Sequence, residues 1–306
     1  MKLTFLGTGA GIPSRMRNVS SLAIHFPRRR NETWLFDCGE GTQHQMLKTK
    51  LSPTKIRNIF ISHLHGDHVY GLPGIIGTRS ALGATSQLTI YGPKGTQGFV
   101  QTALDISQNE LSYPLEIVEI EDGMELAIDQ FQLKIHSLQH RIPSYGFRIT
   151  CPDRPGKLDH QRLMELGVPP GPIYGELKKG KMVQLEDGRL LDGKKFLSPP
   201  IPGHVVVYLG DTMPTQNAIK LAFQADLLIH EATFAQALAE KAVIHQHSTT
   251  IEAAQIAKQA EVKTLILTHF SNRYQEHDLE ELLNEARSVF PNTYLAKDLW
   301  TFSLDE

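Results

Sequence analysis

His63-Leu-His65-Gly-Asp67-His68 sets three imidazoles and a carboxylate within six residues. All four side chains bind a borderline metal such as zinc. A catalytic zinc takes three protein ligands and a water. Four donors in one run therefore exceed the need of one ion and point to two ions that divide them. Glycine at 66 is expected to let the segment turn tightly, so that donors on both sides of it converge. The competing reading is a histidine-rich surface loop.

These donors need elements to position them. The apolar run Ile59–Ser62 reads as a buried strand that ends where the ligands begin. Further donors stand in the same relation to other strand-like runs: His140 after Phe131–Leu138, Asp211 after Val205–Leu209, and His269 after Leu265–Thr268. In open α/β sheets, ligands bind outside the carboxyl ends of strands. Other expected strands are Leu3–Leu6, Leu22–Phe26, Trp34–Asp37, Leu88–Tyr91, Leu115–Ile120 and Leu227–His230. Helices are expected at Pro93–Ile106, Thr215–Phe223, Thr250–Gln259 and Leu279–Val289. Hairpin-spaced strands mixed with helical crossovers predict an α/β fold of two face-packed sheets with helices outside.

Residues 151–200 break this pattern. They hold 7 of the 17 prolines and 7 of the 24 glycines, and Gly167–Pro172 is expected to form neither regular helix nor central strand. The segment carries a local net charge of +2 against −4 for the rest of the chain. Such an insertion reads as a functional loop or lid, or else as a disordered segment, rather than as a passive linker.

Composition says less. The chain of 306 residues, 41% hydrophobic, can build a substantial core as one large domain or two small ones. No apolar stretch reaches the roughly 18 residues of a membrane helix, and Met1–Gly7 is too short for a signal peptide. Cys38 and Cys151 are expected as free thiols of a cytoplasmic protein. A formal net charge of −2 does not advertise a nucleic-acid binder. Local basic groups are Arg28–Arg30, read as a solvated hairpin tip, Lys55 with Arg57, and Lys178, Lys179 and Lys181. Gly7-Thr-Gly9-Ala-Gly11 lacks the third glycine of a dinucleotide fingerprint, and Pro13 blocks a helix start. It reads as a tight turn with close backbone approach near the active site.

The metal run resembles the signature of the metallo-β-lactamase fold superfamily, with the later His, Asp and His in its usual order. Within it, His230-Glu231-Ala232-Thr233 and His247-Ser248-Thr249 resemble the HEAT and HST motifs of the ribonuclease Z family, short bacterial form. Pro53–Asn58 and Ala296–Leu299 are similar to its PxKxRN and AxDx loops, and Asp37–Gln43 to its first motif. The resemblance spans essentially the whole chain. It implies an αββα four-layer sandwich, with 151–200 as an inserted flexible arm that clasps tRNA. It implies that His63, His65 and His140 hold one Zn2+, that Asp67, His68 and His269 hold a second, and that Asp211 bridges them. The implied activity is that of an endoribonuclease removing the 3′ trailer of precursor tRNA, leaving a 3′-hydroxyl on the tRNA and a 5′-phosphate on the trailer. Asp67 would orient the attacking water, His247 would act as general acid and Glu231 would orient His247. Arg273 would bind a phosphate near the cut. A homodimer is implied as well. The alternative is a small-molecule hydrolase of the same fold, acting on a thioester, sulfate ester or cyclic phosphodiester. A non-enzymatic tRNA-binding scaffold is disfavoured because every metal position is filled.

Overall fold

The computed structural model describes residues 1–26, 29 and 31–304. Two seven-stranded sheets dominate it. In the first, the strand order is Thr301–Ser303, Lys2–Gly7, Ser21–Phe26, Glu32–Phe36, Ile56–Phe60, Leu88–Gly92 and Leu115–Glu119. The first four strands pair antiparallel, and from Glu32–Phe36 onward the pairing is parallel. The second sheet runs Thr293–Leu295, Thr264–Thr268, Leu227–Glu231, Val205–Leu209, Ser144–Thr150, Phe131–Leu138 and Glu125–Ile128. Its first four strands are mutually parallel.

Burial follows the residue types. Val205–Leu209 and Leu227–Glu231 are nearly continuous apolar runs because both faces are covered. Phe131–Leu138 begins with strict alternation, Phe131, Leu133 and Ile135 inward and Gln132 and Lys134 outward. Between the sheets lies an aromatic layer: Phe36 packs 5.9 Å from Phe147 and 5.4 Å from Tyr208, and Phe60 lies 5.6 Å from Phe147. Outside the first sheet, helices Leu72–Ala81 and Thr96–Ser107 place Leu72, Ile75, Ile76, Val100 and Leu104 over Leu35, Ile59 and Ile90. Outside the second, helices Gln216–Ala222, Thr250–Gln259 and Leu279–Val289 place Leu221, Ala253, Ala257 and Leu282 over Val207, Leu228 and Leu267. The result is the expected helix–sheet–sheet–helix sandwich.

One element expectation needs correction, and one helix is additional. The helix expected over Pro93–Ile106 starts at Thr96, because Gly95 adopts φ +104°, which a helix cannot contain. Helix Leu72–Ala81 has no counterpart among the expected elements; Pro73 sits in its first turn, where its missing N–H costs nothing.

Ala127–Gln132 and Thr150–His204 form a second compact unit. It holds short helices His160–Glu165 and Pro172–Lys178 and the hairpin Met182–Gln184 with Leu190–Asp192. Leu158, Leu163, Val168, Tyr174, Leu177, Leu191 and Phe196 form its own small core. The turn Gly167–Gly171 is irregular as expected, but Pro172 opens a helix at the position where proline is favoured. The chain enters and leaves the unit side by side, with the Cys151 N–H donating to the His204 carbonyl at 2.9 Å. Cys38 and Cys151 form no disulfide, and complete burial pushes the Cys38 thiol up to about 12. Of Arg28–Arg30, only Arg29 lies among the described residues, in the turn after Ser21–Phe26 and 3.4 Å from Glu32. No helix among the described residues is long and apolar enough to cross a membrane.

Candidate active site

Strand ends deliver the donors to one place. His63 and His65 follow Ile56–Phe60, and Asp67 and His68 sit in a single helical turn, Gly66–Val69. His140, Asp211 and His269 follow Phe131–Leu138, Val205–Leu209 and Thr264–Thr268. Gly66 makes no special turn; a Cβ there would lie 2.1 Å from the Tyr70 ring, which would have to move aside. The Gly7–Gly9 turn makes the close approach expected of it: Thr8 and Gly9 N–H groups both donate to the Asn18 carbonyl. Beyond it, the Gly11 N–H donates to Asp67 Oδ2 at 2.7 Å.

The seven predicted metal residues converge. His63, His65, His140 and Asp211 form one potential ligand set, and Asp67, His68 and His269 another. His63 Nε2 and His140 Nε2 lie 3.1 and 3.2 Å from His65 Nδ1. His68 Nε2 lies 3.3 Å from His269 Nε2 and 3.4 Å from Asp67 Oδ2. Asp211 Oδ2 sits between the sets, 3.5 Å from both His63 and His68 and 3.3 Å from His269. Tetrahedral zinc with bonds near 2.0–2.1 Å holds its donors about 3.3 Å apart. The observed separations fit such ions.

Partners on the far side of each ring settle which nitrogen faces inward. The Ser62 hydroxyl donates to Asp37 at 2.8 Å, so it accepts from His63 Nδ1 at 3.0 Å. His68 Nδ1 donates to Asp37 at 2.7 Å and His140 Nδ1 to the Gln246 carbonyl at 2.8 Å. The Thr233 hydroxyl donates to Glu231 at 2.7 Å, so it accepts from His269 Nδ1 at 2.9 Å. Each of these four rings thus turns an Nε2 lone pair toward the centre. Facing lone pairs repel unless a cation lies among them, which makes the set suited to metal rather than to mutual hydrogen bonding.

Charge agrees. Burial pushes His63 well below its ordinary value and lowers His65 and His140, favouring the neutral imidazoles a metal needs. Burial opposes ionisation of Asp67 and Asp211, yet the surrounding His68, His269 and, for Asp211, His63 outweigh it and hold both carboxyls far below the usual range. His68 is raised, because Asp67, Asp211 and Asp37 overcome its burial. This end of the cluster demands positive charge.

Beside the ligands stands the His247–Glu231 pair. Glu231 is buried and accepts from Thr212 N–H, Thr233 N–H, the Thr233 hydroxyl and His247 Nδ1, the last at 2.9 Å. Burial works against charge on His247, but Glu231 and Asp211 raise it to about 9. Its Nδ1 is committed to Glu231, which leaves Nε2 to donate. The rest of the HST run is structural. The Ser248 hydroxyl donates to the Thr212 carbonyl at 2.6 Å, and Thr249 caps helix Thr250–Gln259 in a capping box with Glu252. Asp298 of the Ala296–Leu299 loop accepts from Thr8, Asn18 and Gln45, and so fixes the Gly7–Gly11 turn.

His65, Asp67, His140, Asp211, His247 and His269 floor an open cleft of about 320 Å3, lined also by Arg141, Phe234, His245 and Arg273. Among the expected RNA contacts, only Arg273 lines it. Lys55 and Arg57 lie at the amino end of Ile56–Phe60, away from the metal run at its carboxyl end. Lys178 is exposed on the second unit, where Lys179 and Lys181 both pair with Glu176 at 2.6 Å. Sequence reasoning gave no role to Ser62, Tyr208, Thr233, Arg141, Phe234 or His245. Thr233 stands inside the HEAT run and Ser62 abuts the metal run, and these were the available signals; Arg141, adjacent to His140, had none beyond its charge.

Residues 1–156 match the family model of anti-Pycsar protein Apyc1, and residues 197–270 that of a beta-lactamase superfamily domain. The ribonuclease Z of Geobacillus kaustophilus is 52% identical over 304 residues, 99% of each chain. That of Bacillus cereus strain ZK is 50% identical over 306 residues, covering the whole of both chains. The crystal structure of human tRNase Z, short form, superposes with a TM-score of 0.71 at 32% identity, covering 99% of each chain. The metallo-beta-lactamase fold protein YhfI of Bacillus subtilis, 21% identical with a TM-score of 0.69 over 98% of each chain, shares the fold. Likeness of this extent over the full chain, joined to the ligand cluster, makes the chain a member of the ribonuclease Z family.

Proposed function

We propose that the chain is a metal-dependent endoribonuclease that removes the 3′ trailer from precursor tRNA. The observation that carries this reading is the placement of His247, hydrogen-bonded to buried Glu231, at the edge of seven convergent metal donors in a chain of the ribonuclease Z family. Five imidazoles and two carboxylates suit two zinc ions: His63, His65 and His140 for one, Asp67, His68 and His269 for the other, and Asp211 between them. Such ions, when bound, supply Lewis acidity at the phosphate and acidify water.

The protein's own groups do the rest. Asp67, anchored by the Gly11 N–H, orients the attacking water. His247 Nε2 gives its proton to the departing 3′ oxygen while Glu231 holds the ring. Scission therefore leaves a 3′-hydroxyl on the tRNA and a 5′-phosphate on the trailer. Arg273, which lines the cleft, takes a phosphate beside the cut in this reading. The inserted unit, 151–200, is the candidate for holding the tRNA body, supported by its excess of positive charge and exposed Lys178. A homodimer in the cytoplasm rests on the family resemblance. The small-molecule alternative is not favoured.

The test is incubation with a precursor tRNA bearing a 3′ trailer, with and without a chelator. One chelator-sensitive cut after the last nucleotide of the mature tRNA body supports the reading. No cut, with a small phosphodiester still hydrolysed, overturns it.

A further inference from the structure

The cleft has a rim that neither the metal donors nor the His247–Glu231 pair uses. His245 ends helix Ala239–His245 and is exposed. Its ring stacks on Phe234, centroids 6.0 Å apart at 25°. Phe234 is itself buried, carries the Arg273 guanidinium 5.3 Å from its ring centroid, and meets the His247 ring edge-on at 6.1 Å. Arg141 donates to the Ile244 carbonyl at 2.8 Å, which keeps its guanidinium at the same rim. Among the described residues, neither arginine has a carboxylate partner; beyond Arg141 Nη2, held by the Ile244 carbonyl, and Arg273 Nε, held by the Ser271 hydroxyl, their remaining N–H groups can donate to phosphate.

A flat exposed ring backed by a second ring, with cations on its flanks, is how proteins hold an unpaired nucleotide: base on aromatic face, phosphates on guanidinium. The chemistry says which nucleotide. His247 donates to the departing 3′ oxygen, and that oxygen belongs to the last nucleotide retained by the tRNA. His245 is two residues from His247 and shares Phe234 with it. We infer that His245, stacked on Phe234, seats the base of the last retained nucleotide, while Arg141 and Arg273 hold its flanking phosphates. This assignment rests on the proposed function, and in particular on His247 as the general acid. It gives the enzyme a nucleotide subsite at the cut that is separate from any grip on the tRNA body.

The test compares single-turnover kcat/KM of the full-length, metal-loaded enzyme on a precursor tRNA and on the same RNA made abasic at the last retained nucleotide. Wild type should lose about 5- to 100-fold on the abasic substrate, the range of one stacking contact. His245→Ala should lose a like factor on the intact precursor and nothing further on the abasic one. His245→Tyr should restore most of the loss, and metal content should be unchanged by either substitution. Losses that multiply, or a His245→Ala defect equal on both RNAs and on a small phosphodiester, would overturn the seat while leaving the proposed function intact. Failure of wild type to cut any precursor, with the small phosphodiester still hydrolysed, would overturn the proposed function and the seat together.

Discussion

Asp37, Asp211 and Glu231 in the larger unit lie out of solvent, and Asp37 and Glu231 each accept four hydrogen bonds. Glu176 in the smaller unit takes Lys179 and Lys181 at 2.6 Å each, but it is half-exposed and both lysines lie in solvent. Buried charges of the first kind cannot lose a partner without a large penalty, whereas exposed pairs contribute little and re-form easily. The larger unit is therefore built to fix positions and the smaller one to offer charge that can be redirected. Substitutions should behave all-or-none in one and by degrees in the other.

The largest effect is expected from Asp211→Ala or His68→Ala. Either should lower turnover of precursor tRNA and of a small phosphodiester together, on the order of 10⁴-fold or more, as removal of a unit that acts as a whole does. Bound metal, counted on the purified variants, should fall below wild type. His247→Ala comes next, with a loss of about 10²–10⁴ in single-turnover rate and metal content unchanged. Its pH dependence has a definite sign. The folded pKa is raised to about 9 from 6.5, so the proton-donating form persists to about pH 9 and activity falls above it. By the same linkage, the pair's contribution to stability is fully present below 6.5 and is lost as pH rises through about 9. Glu231→Gln should move the falling limb of the rate profile toward lower pH.

Asp37→Asn should cost less. Asp37 takes the Ser62 N–H and hydroxyl, His68 Nδ1 and, from the other sheet, the Tyr208 hydroxyl at 2.6 Å. It thereby orients one histidine of each ligand set, and its amide variant should weaken metal affinity about 10- to 100-fold, measured by competition with a chelating dye. The smallest effect belongs to the inserted unit. Lys178→Ala should weaken precursor binding a few-fold and reduce the slope of log K against log salt by about one, while Lys179→Ala, already partnered, should do less. A Lys178→Ala effect as large as that of Asp37→Asn would break the contrast between the units.

The site was legible because its donors follow apolar strands one after another, and strand ends are where an α/β sandwich gathers side chains. His63, His140, Asp211 and His269 could be found that way. Asp37 could be placed only through a motif, since its role depends on Ser62 across the metal run and Tyr208 across the sheets. The elements of the inserted unit were hidden for a different reason. Leu163, Tyr174, Leu191 and Phe196 are spread among glycines and prolines, and helices of six or seven residues are too short to show a period. That Lys179 and Lys181 share Glu176 could not be read from the chain, because Glu176 is one ordinary acid in a mixed run.

The division of labour between the units is tested most directly by replacing residues 152–203 with a short Gly-Ser turn, since the Cys151–His204 hydrogen bond already joins the two ends. The measurement is the ratio of kcat/KM for precursor tRNA to that for a small phosphodiester, in variant and wild type of equal metal content. The account predicts that the small substrate is hydrolysed at nearly the wild-type rate while precursor cleavage is lost. Retained precursor cleavage, or equal loss of both activities in a folded, metal-loaded variant, would contradict it.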